Sequence, residues 1–405
     1  MKHAASTALA AVVLVAAVWG VLHIGWYSSV QIVDYGVYQH YATAIVDQHA
    51  VPYRDFELEY PPGALPVFAA PELLHSDYRK VFQVLMALCA AATVCGVAAI
   101  GGRRAAAIAA VAPLALGSVV LSRFDFWPAA LAVWGIAALL RQRPLLSGVL
   151  LGTAFAAKLW PAALVPLALV WLLRNRDVRT AIAFGGAAVA TAAAWFLPFV
   201  AIAPGGVGAS FHEQLARPLQ LESLGGAVLI AFHKTAGSTL HMVGSYGSQN
   251  LTGPGAHAAA VATSIAGALA LVAVWASFAR GPATAERLLA YSAASLAVLI
   301  AFGKVFSPQF LIWLIPFVPL VRARRGTLAL VLFTLSLVLT QLWFPHHYWE
   351  LVNRFASPYC WFLLVRDLVV VALAAVLVWP RSEHEVLGEQ RSRLEALQRV
   401  RAELH

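Results

Sequence analysis

The chain has 405 residues, 61% of them hydrophobic and only 12% charged, with a net charge of +9. A soluble domain is about half apolar and about a quarter charged, so the composition excludes one and calls for a lipid solvent over most of the length. The positive charge does not point to nucleic acid, because the cations are divided among short loops instead of gathered in a patch. Cys89, Cys95 and Cys360 sit in apolar runs without CxxC or metal-ligand spacing, and read as small buried side chains.

Lys2 and His3 precede an apolar run over 4–22 that is too long for a signal-peptide core. No small-residue cleavage site follows, and Trp26 and Tyr27 close the run as interface aromatics do. This is an uncleaved signal anchor, with its span near 6–27. A membrane helix needs about 20 apolar residues, fewer where the bilayer thins or protein covers the helix. On that basis further spans fall near 81–100, 105–121, 127–140, 145–157, 160–173, 180–202, 256–278, 287–303, 308–321, 327–343 and 360–380. The expected fold is all-α, a polytopic integral membrane protein of about twelve spans. The tail at 381–405 is polar, with Leu387, Leu394, Leu397 and Val400 at helical spacing, and reads as a short surface helix.

On this map the short loops of one side carry twelve arginines against two acids, Asp177 and Glu286. The other side carries nine cations against eleven acids. The positive-inside rule makes the first side cytoplasmic, and both termini with it. Fusing 145–173 into one span would invert this bias, so two short segments are retained. Three regions are then long and extracytoplasmic: 28–80, 203–255 and 344–359. Long loops rich in aromatics, prolines and paired charges are functional more often than disordered.

Asp34 is the first acid past the anchor, at or near the bilayer surface. A carboxylate there fits a general base, or the N-cap of a helix over 35–48. Asp55, Glu57 and Glu59 alternate, and in an extended segment would face one side. Such a face suits water, sugar hydroxyls or, less readily, a divalent ion. Tyr60-Pro61-Pro62 is stiff and places an aromatic for stacking or anchoring. Arg123 and Asp125 share a turn, as a local ion pair or a phosphate contact. Lys158, after an apolar stretch and before Trp160-Pro161, either snorkels or meets a lipid phosphate. Lys304 and Gln309 mark another charged turn, His346-His347 is an isolated pair, and Arg366-Asp367 lies inside the last span. No P-loop, dinucleotide fingerprint, HExxH or GxSxG occurs, so neither ATP nor nicotinamide is expected.

Together the Asp34-x-x-Val37-Tyr38 segment, the block from Val51 to Pro62, Ser122-Arg-Phe-Asp125, Lys158-Leu-Trp-Pro161, Arg217-Pro-Leu-Gln-Leu-Glu-Ser223 and Phe306-Ser-Pro-Gln-Phe310 resemble the GT-C superfamily, and within it glycosyltransferase family 87. The resemblance runs in order along the whole chain. It implies a GT-C transmembrane domain over 1–380, with a catalytic first loop at 28–80 and a second large outer loop at 203–255. It implies inverting transfer of a hexose, mannose being the expected sugar, from a polyprenyl-phosphate donor to a lipid or glycan acceptor. The reaction would take place on the outer face of the plasma membrane, with no cofactor expected and a divalent metal left open but not favoured. Asp34 matches the family's first-loop aspartate and takes the role of base, with Asp55 as its rival. Glu57, Glu59, Tyr60, Arg123, Asp125, Lys158, Arg217, Gln220, Glu222, Lys304 and Gln309 are carried over loosely as substrate contacts. The competing architectures are a lipid-linked-glycan flippase and a glycan polymerase. A flippase would spread polar residues through its spans and show inverted repeats, neither of which is present.

Overall fold

The computed structural model of the chain describes residues 2–379; the surface helix expected over 381–405 lies outside the described residues. The described chain is a helical bundle. It opens with α1 (Lys2–Leu22), the short α2 (Trp26–Ser29), α3 (Tyr35–Val46) and α4 (Leu65–Leu73). Next comes α5 (Tyr78–Leu116), which is two helices joined at Gly102. The φ of 75° and ψ of −167° there are open to glycine because it has no Cβ. This is the break expected before Arg103 and Arg104, and it separates the spans predicted at 81–100 and 105–121.

The middle of the chain forms α6 (Phe126–Leu140), α7 (Pro144–Ala157), α8 (Val165–Asn175) and α9 (Val178–Ile202). A 3-10 turn over Trp160–Leu164 joins α7 to α8, so 145–173 is indeed two segments. Asp77 and Asp177 cap α5 and α9 by accepting from Lys80 N and Thr180 N. Capping satisfies backbone donors that have no partner within the helix.

The second long loop is more ordered than its composition suggests. It holds α10 (Pro204–Ala216), α11 (Leu224–Ala236) and a hairpin of β1 (His241–Ser245) and β2 (Ser248–Thr252), turned at Tyr246 and Gly247. α11 is capped by Ser223, ends on left-handed Gly237, and packs against the bundle instead of lying free. α12 (Ala256–Arg280), α13 (Ala285–Ala301), α14 (Ala323–Gln341), α15 (Tyr348–Arg354) and α16 (Tyr359–Val378) complete the fold.

One predicted span is not an α-helix. The segment 308–321 folds as two 3-10 pieces, Pro308–Leu314 and Val318–Leu320. Pro308, Pro316 and Pro319 remove the donors that an α-helical ladder needs.

Among the described residues five helices are long and apolar enough to cross a membrane: α5, α9, α12, α14 and α16. Shorter apolar segments accompany them at Ser6–Leu22, Phe126–Leu140, Pro144–Ala157, Trp160–Asn175, Leu224–Ala236 and Pro308–Leu320. The most apolar stretches of α9 and α12 are only 6% buried in protein, so their apolar surface needs lipid around it. The chain is a multi-pass, all-α membrane protein.

Candidate active site

The site forms where the first loop, the turn before α6, the end of α7, the α10 face and the segment after α13 meet. Asp34 occupies the N-cap position of α3, and its carbonyl accepts from Val37 N at 2.9 Å and Tyr38 N at 3.2 Å. Its side chain caps nothing. The carboxylate instead forms an ion pair with Arg123, whose side chain is 7% exposed. The capping role open to Asp34 is therefore not the one its side chain takes.

Arg123 and Asp125 do not pair with each other. Asp125, almost wholly buried, accepts from Lys158 Nζ and from Trp313 Nε1, both at 2.6 Å. Lys158 does not snorkel. Its ammonium lies 4.7 Å from the Phe124 ring centroid and 5.6 Å from those of Phe310 and Trp313. Aromatic faces stabilise a cation and here offset part of its desolvation. Burial still pulls the Lys158 ammonium below its usual range, against the attraction of Asp125. Burial likewise brings Arg123 down to about 10, while Asp125 and Glu222 act to raise it.

Asp34, Glu59, Tyr60, Lys158, Arg217 and Gln309 line one cavity of about 270 Å³. An aromatic cluster backs it: Tyr38 stacks on Phe68 at 4.4 Å, and Tyr60 meets Phe124 edge-on at 5.1 Å. Burial pushes both phenols well up, so Tyr38 and Tyr60 remain protonated donors at neutral pH. A second, larger chamber of about 770 Å³ adjoins the first and is lined by His40, Tyr41, Phe56, Glu57, Glu213 and Tyr246. Glu59, Gln214, Arg217 and Gly247 line both. On this common wall Arg217 pairs with Glu59 at 3.3 Å and donates to Tyr246 O at 2.9 Å. Its buried Nε donates to no acceptor among the described residues.

Other sequence candidates lie outside the first cavity. Asp55 sits in a turn, not an extended segment, so the three alternating acids do not share one face. It is exposed, accepts from Val51 N at 2.7 Å and pairs with Arg54 at 2.8 Å. The hydrogen bond from Arg54 is the main reason its carboxyl falls to about 2. Gln220 and Glu222 were expected to touch substrate but are buried behind the cavity wall. Gln220 accepts from Phe306 N at 2.7 Å and donates to Glu222 at 2.6 Å and Ser307 at 3.0 Å. Arg366, fully buried in α16, donates to Glu222 O at 2.7 Å and stacks over Phe306 at 3.6 Å. These contacts hold the wall in place. Lys304 lies beyond Arg217, in a third, apolar groove.

The sequence reading overlooked one lining element. Val207, Ser210, Phe211 and Gln214 of α10 all face the cavity. Their spacing is that of one helical face, a signal present in the sequence. Trp160 and Trp313, stacked at 5.4 Å, also line it. Among the described residues no three His, Cys, Asp or Glu side chains cluster as metal ligands would.

The arrangement offers two carboxylates at a cavity wall, Asp34 paired with Arg123 and Glu59 paired with Arg217, with Lys158 close by and aromatic faces around them. It can take a proton from a hydroxyl and receive an anionic leaving group. Residues 58–308 match glycosyltransferase family 87, a stretch that holds Glu59, Arg123, Asp125, Lys158, Arg217 and Lys304 and begins after Asp34. Two solved folds are similar to this one. ArnT from Cupriavidus metallidurans, bound to undecaprenyl phosphate, aligns at 15% identity and a TM-score of 0.49, over 91% of this chain and 76% of that one. The oligosaccharyltransferase from Archaeoglobus fulgidus, in its apo form, aligns at 13% identity and a TM-score of 0.45, over 93% of this chain and 57% of that one. No curated protein matches the chain. The assignment rests on the sequence match, which covers well over half of the residues: the chain belongs to glycosyltransferase family 87.

Proposed function

We propose that this membrane glycosyltransferase moves a hexose, mannose in the first instance, from a polyprenyl-phosphate donor to a hydroxyl of a lipid or glycan acceptor, with inversion. The observation that carries the reading is that Asp34, paired with buried Arg123, lines the same cavity as Lys158 and Arg217. Asp34 takes the proton of the acceptor hydroxyl as its oxygen bonds to the anomeric carbon. The bond from that carbon to the phosphate oxygen breaks, and its electrons leave on the lipid phosphate beside a cation. A single displacement needs one base and no enzyme-bound intermediate. The site is read as extracytoplasmic, at the plasma membrane, with both termini in the cytoplasm, and the arginine bias of the short loops supports that orientation. Family membership weighs against the flippase alternative.

The test is transfer by the purified protein from radiolabelled polyprenyl-phosphate-mannose to a panel of membrane glycolipids and glycans, with Asp34→Asn alongside. Transfer by the wild type and its loss in the variant supports the reading. Full transfer by Asp34→Asn with loss in Asp55→Asn moves the base to Asp55. No transfer by a folded wild type rejects the donor.

A further inference from the structure

Arg217 lines not two cavities but three. The third is a groove of about 620 Å³ between the end of α10, β2 and the first turns of α12. Its walls are mainly apolar, with Leu219, Leu251, Ala256, Ala260, Val261 and Ile265 among them. Val261 and Ile265 are 43% and 56% exposed, on a helix whose apolar surface faces lipid. The groove is therefore open to the bilayer side, and an unfilled apolar groove there is filled by hydrocarbon.

The groove also carries two cations. Lys304 lines the groove beside Arg217, and its ammonium donates to Leu215 O at 2.5 Å. No acid lines the groove. Desolvation chiefly, and the neighbouring charge of Arg217 in addition, pull the Lys304 ammonium down. Beyond its pair with Glu59, Arg217 keeps one buried guanidinium N–H without an acceptor among the described residues, and that N–H with the Lys304 ammonium suits an anion. The groove thus combines apolar walls with two cations, and it shares Arg217 with the cavity that holds Asp34.

From this geometry we infer that the groove along α12 holds the isoprenoid chain of the donor, and that Arg217 and Lys304 hold its phosphate. The sugar then enters the Asp34 cavity from the Arg217 side. The acceptor is left the polar chamber on the other side of the Glu59–Arg217 pair. This rests on the polyprenyl-phosphate reading above and adds where that lipid lies.

The inference is tested by binding alone, without turnover. The full-length protein in nanodiscs is titrated with undecaprenyl phosphate, geranyl phosphate and undecaprenol. Val261→Trp and Ser264→Trp, both at exposed positions, fill the groove. Each is expected to weaken undecaprenyl phosphate about tenfold or more and to leave geranyl phosphate unchanged, since its short tail does not reach them. Lys304→Gln is expected to weaken both phosphates about tenfold and leave undecaprenol unchanged. Thermal unfolding confirms that each variant is folded. Undecaprenyl phosphate bound equally well by the wild type and both tryptophan variants overturns the groove while leaving the donor reading intact. A folded wild type that binds neither phosphate overturns both.

Discussion

Buried Arg123 holds the carboxylate of Asp34 at the cavity wall, so the proposed base owes its place to a cation from a distant turn. A carboxylate close to lipid needs such an opposite charge. Arg123 has a further acid in electrostatic reach, Asp125. Asp34→Asn should therefore leave the fold intact, because Arg123 keeps a counter-charge. It should lower transfer about 10²- to 10⁴-fold, the usual contribution of a general base. Arg123→Gln should instead destabilise by about 3–5 kcal/mol, since it strips a buried network of its cation. The measurement is transfer rate together with thermal unfolding of each variant. Equal loss of stability in both would make Asp34 a structural anchor.

Lys158 and Asp125 form the second buried pair, and Trp313 donates to the same carboxylate oxygen as Lys158. Lys158→Met should cost about 3–5 kcal/mol by leaving Asp125 charged and without its cation. Adding Asp125→Asn should recover part of that, because the carboxylate charge goes too. A double-mutant cycle on detergent unfolding should give a coupling of about 1–3 kcal/mol. A coupling near zero would mean that the aromatic faces alone hold Lys158.

Glu222 sets a pH dependence of stability. Burial pushes its carboxyl from 4.5 up to about 8, against the pull of Arg366 and Arg123. The sign follows from proton counting. Between about 4.5 and about 8 the folded chain keeps this proton and the unfolded chain does not. Unfolding then releases a proton, so this group's contribution falls as pH rises through that window and is flat above it. Glu222→Gln mimics the neutral form and can still accept from Gln220. The variant should match the wild type near pH 5 and be the more stable of the two near pH 9. Unfolding midpoints across that range decide it: a constant difference would show that Glu222 does not titrate in the window.

The membrane character and most helix positions were legible because apolar runs and arginine-rich turns are one-dimensional signals. The break at Gly102 followed from Arg103 and Arg104 between two apolar runs. The 308–321 segment is apolar as expected from its hydropathy, but Pro316 and Pro319 turn it into 3-10 pieces instead of a regular helix. At the site, the sequence proposed Asp34, Arg123, Asp125 and Lys158 but not their partners. Neighbours in the chain suggested Arg123 with Asp125, and the fold crosses them, giving Arg123 to Asp34 and Lys158 to Asp125. Pairing between distant turns depends on how the helices pack, which no local pattern carries. Gln220 and Glu222 look like substrate contacts for the same reason: a polar residue in a loop does not reveal which way it is buried.

The seat of the first loop on α7 can be tested at a single methyl group. Gly63 lies in the turn over Pro62–Ala64, and its carbonyl accepts from Trp127 Nε1 at 3.0 Å. A Cβ on Gly63 would meet the backbone of Ala156 and Ala157 at 2.5–2.7 Å. Those atoms belong to the last turn of α7, directly before Lys158, and backbone cannot swing aside as a flexible side chain can. Gly63→Ala should therefore push the loop away from α7, at a cost of about 1–3 kcal/mol for overpacking. It should also lower transfer, because Tyr60 and Lys158 ride on the two surfaces being separated. Gly36→Ala is the control: it lies exposed in α3 with nothing within 4 Å of the new methyl. There alanine should be neutral or stabilise slightly, by up to about 1 kcal/mol, through its better helix propensity. If the two variants unfold at the same temperature, the first loop is not clamped on α7, and the cavity wall that Asp34 shares with Lys158 is not rigid.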